Sequence, residues 1–334
     1  MRKISIGVNW QGPWDLEGTI AEAKIADDAG VHLMSVAEAW GRDAFTTLAI
    51  LAYETNRINL GTSIVNIFSR TPGALAQHFT TLDALSNGRM VIGLGSSGPQ
   101  VIEHFHGVKF SRPLTRMREY IEIINALTAG EPLHYHGKIF ELDRGFTIRD
   151  YQPTAGRNHI PIHVASITPK SIEQTAQLAD GWIPIFVPRE QWADQVKIAH
   201  DALRAAGRDP STFEIRSGGG VTVTDDPEKA YWGIREGAAF YIARMGDFYY
   251  EHFLRIGLAD EANAVRAAWR EGGSKAGIEA VSPELAASLG YAGPVEGCID
   301  WIDAQQEAGY GISGVSIAER DPQKRAEIYR QLVG

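Results

Sequence analysis

The sequence predicts an α/β barrel of eight parallel strands, (β/α)8, with insertions, and three observations predict it. Strand-like and helix-like segments alternate through most of the chain, which calls for a parallel sheet with helical crossovers. The run 90–92, Met-Val-Ile after one arginine, is apolar without alternation, as in a strand buried on both faces, and it exits into a glycine-bearing loop. Counted along the chain, the strand segments are 4–8, 33–37, 58–65, 89–94, 162–165, 181–185, 213–223 and 312–317. Eight is the barrel number.

Residues 4–8 are the first strand, and 15–29 follow as a helix with Leu16, Ile20, Ala23 and Ala26 on one face and Gly30 as its stop. After the second strand, 33–37, comes a polar and aromatic loop, 38–43, and then a helix from 44 to about 55. The third strand, 58–65, leads through Asn66, Ser69, Arg70 and Thr71 to Pro72, which suits the first turn of a helix. Leu75, Phe79, Leu82 and Leu85 recur on one face of that helix, and Gly88 suits a left-handed cap before the fourth strand, 89–94.

Beyond Pro99, residues 100–112 read as a loop or short helix, followed by a helix at 113–127 whose buried face carries Leu114, Met117, Ile121, Ile124 and Leu127. Residues 131–150 read as a β-hairpin excursion with turns at Gly137 and 143–145. The alternation resumes with a strand at 162–165, a helix at 169–179, a strand at 181–185, a helix at 191–206 and a strand region at 213–223, interrupted by glycines 218–220. Residues 226–289 carry no strand signal and read as a helical insertion over one end of the barrel, dense in aromatics: Trp232, Tyr241, Phe248, Tyr249, Tyr250 and Phe253. A helix at 295–308, a strand at 312–317 and a helix at 322–332 complete one domain, 1–334.

Hydrophobic residues make up 44% of the chain and charged residues 22%, enough for a large buried core. A net charge of −9 argues against nucleic acid or an anionic membrane as partner. The single cysteine, Cys298, excludes an intramolecular disulfide framework and a cysteine-built zinc site, and is expected to be buried as a small apolar residue. No run approaches the ~20 apolar residues of a membrane span, so a cytoplasmic protein is expected.

Residues 93–98, Gly-Leu-Gly-Ser-Ser-Gly, match a dinucleotide fingerprint, but that motif should open a long helix and lead to an acidic residue on a second strand. Pro99 and the His104/His106 segment intervene instead. A glycine loop at a barrel strand's exit explains the same letters, because its bare backbone can approach a phosphate or a ring. Glu103, His104 and His106, and separately His134 and His136, lack a placed third ligand, so no metal is expected. There is neither a nucleophile elbow nor a Walker loop. The glycines at 218–220 read as a bend or close packing, and Trp10, Trp14 and Trp40 could wall a flat ring.

The segments GTSIVNIFSRTP, LDALSNGRMVIGLGSSGPQV, HGVKFSRPLTRMREYIEI and VASITPKSIEQTAQLADGWIPIF together resemble the bacterial luciferase-like flavin-dependent oxidoreductases. Within them the chain looks most like the branch that uses the deazaflavin coenzyme F420, which includes methylene-tetrahydromethanopterin reductase. The resemblance implies a TIM barrel with the cofactor at the strands' carboxyl ends, and a bulge in the third strand with a cis peptide at Ser63-Ile64, backing the deazaflavin ring. It implies that Gly95, Ser96, Ser97, Gly98 and Pro99, with Ala165, Ser166, Ile167 and Thr168, hold the cofactor's tail, with Lys170 close by. Glu38 would sit near the ring.

Where some relatives carry a glutamate ending the first strand, this chain has Asn9; for an Asp-His pair after the second strand it has Glu38-Ala39, and for a glutamate in the glycine loop it has Gly98. Glu38 and Asp43 are the catalytic candidates, with His104, His106 or water as other proton donors. The expected activity is hydride transfer between coenzyme F420 and a small organic substrate. The alternatives are a reduced-FMN-dependent monooxygenase and a non-catalytic coenzyme-binding barrel. The resemblance also implies a homodimer.

Overall fold

The computed structural model describes residues 1–8, 13–154, 156–217 and 219–334, so Asn9, Trp10 and Gly218 lie outside the described residues. β1 (Ile4–Val8) is followed by α1 (Leu16–Ala29), which the Asp15 side chain caps at its start and left-handed Gly30 ends. β2 (Leu33–Val36) leads to α2 (Ala44–Glu54), capped by Asp43. The third stave is broken into β3 (Asn59–Thr62) and β4 (Val65–Asn66). α3 (Pro72–Leu85) buries Leu75, Phe79 and Leu82, and left-handed Asn87 and Gly88 turn the chain into β5 (Met90–Gly95). Leu85, expected on the buried face, is 54% exposed; it is the last residue of α3.

α4 (Pro99–His104) is a short helix, and α5 (Pro113–Thr128) buries Met117, Ile121, Ile124 and Leu127. β6 (Leu133–His136) and β7 (Glu141–Phe146) form an antiparallel hairpin turning at 137–140. Gly145, expected in a turn, lies inside β7 with a positive φ. The Glu119 carboxylate in α5 accepts hydrogen bonds from the N–H groups of Lys138, Ile139 and Phe140, which fixes the hairpin tip.

The barrel resumes with β8 (Ile162–Ala165), α6 (Pro169–Leu178), β9 (Gly181–Ile183), α7 (Trp192–Ala205), β10 (Glu214–Ile215) and β11 (Val221–Val223). Four helices follow, α8 (Pro227–Arg244), α9 (Asp247–Arg255), α10 (Ala259–Glu279) and α11 (Pro283–Leu289). A short strand that the sequence did not announce, β12 (Tyr291–Gly293), precedes α12 (Val295–Glu307), β13 (Ser313–Ile317) and α13 (Pro322–Val333).

The sheet runs β10-β9-β8-β5-β3-β2-β1-β13-β11-β12, with parallel pairing between successive staves. β10 closes onto the start of β13 through a parallel bridge between Arg216 and Ile312, where Ile215 O accepts from Gly311 N and Ser217 N donates to Ile312 O. The segment expected as one strand over 213–223 is therefore two: β10 pairs with β9, and β11 pairs with β13 and β12. The glycines between them serve close packing, since a Cβ on Gly219 would stand 1.9 Å from Leu289 O and one on Gly220 2.7 Å from Gly314 O.

One large core fills the barrel and its helical layer, and a second, separate core of Ala238, Ile242, Phe253, Val265, Ile278, Leu285 and Leu289 lies within α8–α11. Cys298 is buried in the first, and burial pushes its thiol up to about 12. Among the described residues no helix is long and apolar enough to cross a membrane, and no group of three or more metal-ligating side chains is assembled.

Candidate functional site

Between β3 and β4 the chain inserts one extra residue: Gly61 pairs with Val91 but Val65 pairs with Leu94, four residues advancing against three. This is a β-bulge centred on Ser63 and Ile64, the position expected from the resemblance. The cis peptide expected there is absent, because every described peptide bond is trans. Backbone bonds to the neighbouring strand hold the bulge without it: Ser63 N donates to Val36 O and Glu38 N to Ile64 O. The Thr62 hydroxyl replaces the interrupted ladder on the other side, accepting from Gly93 N and donating to Gly93 O, both at 2.8 Å. Ser63 Oγ meets Ser35 Oγ at 2.9 Å.

Gly93 has to be glycine for this approach. A Cβ there would stand 2.1 Å from Thr62 O and 2.4 Å from Ser63 O. At Gly95 a Cβ would press on the Ile64 side chain at 3.1 Å. The resemblance pointed to the bulge residues and passed over Thr62 and Gly93, although a threonine facing a glycine across a broken strand is a readable sign.

The bulge opens into an apolar cavity of about 430 Å³ at the carboxyl ends of the strands. Ser63, Ile64, Gly95, Ser96, Ser97, Gly98, Ala165, Ser166, Ile167 and Thr168 all line it; Pro99, the first residue of α4, does not. Leu114, expected in the core, lines the cavity with Met117 and Ile121 of the same helix. The insertion contributes Tyr241, Phe248 and Tyr249, which no sequence argument had placed in the site.

Thr168 caps α6 reciprocally with Ser171, so that the helix presents its positive end beside the loop 165–168. Arg255 Nη2 donates to Ile167 O at 3.4 Å, tying α9 to that loop. Lys170 is exposed. In the glycine loop Ser97 has a positive φ of 56°, an uncommon conformation for a serine.

Glu38 and Asp43 are brought together, but outside the cavity lining. Both Glu38 oxygens bond Arg70, at 2.5 and 3.1 Å, and Arg70 also reaches Asp43 at 2.8 Å. Partial burial works against the Asp43 carboxylate, yet hydrogen bonds from Thr46 and the Arg70 charge hold it below its usual value. His106 bonds Asn66, His104 is exposed, and Glu103 accepts from Phe110 N. Trp14 is covered by Arg42, and Trp40 leans on Phe240 at 6.4 Å; neither walls the cavity.

A larger depression of about 780 Å³ lies between α8 and α11, lined by Trp232, Arg235, Ala286 and charged neighbours. None of the expected site residues lines it.

A family model described as luciferase-like monooxygenase matches residues 7–311. A protein of Mycobacterium tuberculosis, provisionally named a coenzyme F420-dependent oxidoreductase, is 36% identical over 301 residues, covering 85% of this chain and 86% of that one. A 5,10-methylenetetrahydromethanopterin reductase of Archaeoglobus fulgidus is 30% identical over 320 residues, covering 93% and 92%. The solved structure of a coenzyme F420-dependent tetrahydromethanopterin reductase from Methanopyrus kandleri superposes with a TM-score of 0.81 at 21% identity, covering 99% of this chain and 98% of that one.

Proposed function

The chain belongs to the luciferase-like monooxygenase family, and from that premise we propose that it is an oxidoreductase moving a hydride between the deazaflavin coenzyme F420 and a small organic substrate. The observation that carries this reading is the bulge at Ser63 and Ile64 opening into a cavity that ten of the eleven expected cofactor residues line. The 36% identical relative, whose name carries the coenzyme, supports the choice of deazaflavin over flavin.

The site suits such a group. Its lining is apolar where a flat ring would lie, against Ile64, Val164 and Ile183, and becomes hydroxyl- and backbone-rich along 95–98 and 165–168, where an anionic tail would lie. When bound, the deazaflavin supplies a two-electron hydride donor or acceptor at its ring carbon. The protein's part is to support the ring on the bulge, exclude water with Tyr241, Phe248 and Tyr249, and align the substrate at contact distance. Residues 1–334 act as one barrel domain, with the hairpin 131–150 an excursion and the helices of 226–289 the cover. Glu38 and Asp43 serve by holding Arg70 and the loop after β2, not by handling a proton. The working unit is a homodimer.

Anaerobic titration with each cofactor tests the reading. Tight deazaflavin binding with turnover on some hydride acceptor is the expected result; tight FMN binding with indifference to deazaflavin would replace it with the monooxygenase reading. Tight deazaflavin binding without turnover on alcohols, imines, enones and pterin adducts would favour a coenzyme carrier.

A further inference from the structure

Of the eleven tyrosine hydroxyls, five donate to a protein partner. Tyr120 donates to Arg70 O, Tyr135 to Glu122, Tyr151 to Asp83, Tyr250 to Asn263 and Tyr329 to Glu22. The Tyr310 hydroxyl lacks one and is sealed in the core. Tyr241 and Tyr249 differ from both groups: their hydroxyls make no hydrogen bond within the described residues, are not among the sealed orphans, and belong to rings that line the cavity.

The two rings meet edge to face with centroids 4.5 Å apart, and Tyr241 is braced by Phe186 at 5.2 Å. Meanwhile most other hydroxyls at the site are committed, Ser63 to Ser35, Ser96 to Ser97 O, Ser166 to Thr175, and Thr168 and Ser171 to each other; the Ser97 hydroxyl, on the glycine loop rather than the insertion, makes no hydrogen bond within the described residues. Burial pushes both phenols up, and Tyr249 further through Tyr241, so both are neutral donors across ordinary pH.

We propose that Tyr241 and Tyr249 form a two-phenol donor site for the oxygen of a carbonyl substrate, and that one of them delivers the proton that completes its reduction. The proposal rests on the deazaflavin reading above. An unpaired donor in an apolar cavity favours a ligand with an acceptor oxygen, because that ligand satisfies it without loss to water. In the reductive direction the hydride forms the new C–H bond at the carbonyl carbon. The C=O π pair moves to oxygen, and oxygen takes the phenolic proton. The deazaflavin is oxidised by two electrons, and the ring proton it releases to solvent balances the one that returns to the phenolate.

Two measurements test this on the full chain and on Tyr241→Phe, Tyr249→Phe and the double variant. In the first, cinnamaldehyde is added to cofactor-free protein; its absorption band shifts to the red when its oxygen accepts hydrogen bonds. The shift is expected in the parent and absent in the double variant. In the second, reduced deazaflavin is oxidised by an aldehyde or by an iminium acceptor, which takes hydride without a proton. At least one single variant is expected to lose roughly 100-fold in kcat on the aldehyde, the usual scale of general acid catalysis, and to stay within about threefold on the iminium.

Equal losses on both acceptors would make the phenols packing groups and overturn the proposal, as would no loss on either. Failure to bind deazaflavin with the band shift intact would overturn the cofactor reading and leave the donor pair standing. Tight deazaflavin binding with no shift would do the reverse.

Discussion

Thr62 closes with its side chain a gap that the bulge opens in the backbone ladder. Thr62→Val keeps the shape but strands the N–H and C=O of Gly93, so a loss of about 2 kcal/mol is expected in urea denaturation, with weaker cofactor binding in titration. Arg70 is a second such residue. Arg70→Met would leave the Glu38 carboxylate, 8% exposed, without its counter-charge and beside the Asp43 carboxylate, with Ala44 N still donating to it, and about 3 kcal/mol of stability should go with it. His163 sets a pH limit. Burial holds its imidazole well below 6.5, Arg216 donates to its Nδ1 at 3.0 Å, and Arg216, His32 and Lys3 add positive charge, while Glu214 stands 3.6 Å from Nε2. The unfolded chain then binds one more proton than the folded one below about pH 6.5, so stability falls as pH drops, by about 1.4 kcal/mol per unit, until the depressed folded value is reached. Denaturation curves of His163→Gln should lack that proton's share of the slope.

Among the elements, the bulge is where reading from residues worked and also where it failed. Its position at Ser63-Ile64 was legible through the resemblance, whereas the cis bond attached to it was not borne out; the ties to β2 and to Thr62 hold the bulge in the trans form. Gly93→Ala should disrupt the element as a whole, since its Cβ has two carbonyl oxygens inside 2.5 Å; loss of cofactor binding and of several degrees in Tm are the expected readouts. The hairpin depends on one carboxylate. Glu119→Ala frees three N–H groups at its tip, and limited proteolysis should move to 137–140 with little change in the barrel's unfolding midpoint. Periodicity alone disclosed the strands and helices with strong patterns. It missed β12, whose three residues, Tyr-Ala-Gly, have no strand signature and pair only because β11 offers an edge. Nor could it place Tyr241 and Tyr249, because the helix positions that face a cavity and those that face a core read alike; the separate core of α8–α11 decides which is which.

For the whole molecule, the alternation of elements and the count of eight staves were enough to reach the barrel, since few topologies satisfy both. What sequence order hides is the seam. β1 pairs with β13, Ile4 against Ser313, and the remaining closure runs through the Arg216–Ile312 bridge. A ribosome adding about 5–20 residues per second therefore completes that pairing on the order of 15–60 s after the first strand emerges. During that interval β1 has β2 on one side and an open parallel edge on the other, the kind of surface that recruits foreign strands. The cell has to chaperone an unfinished cylinder for most of the time it takes to translate one.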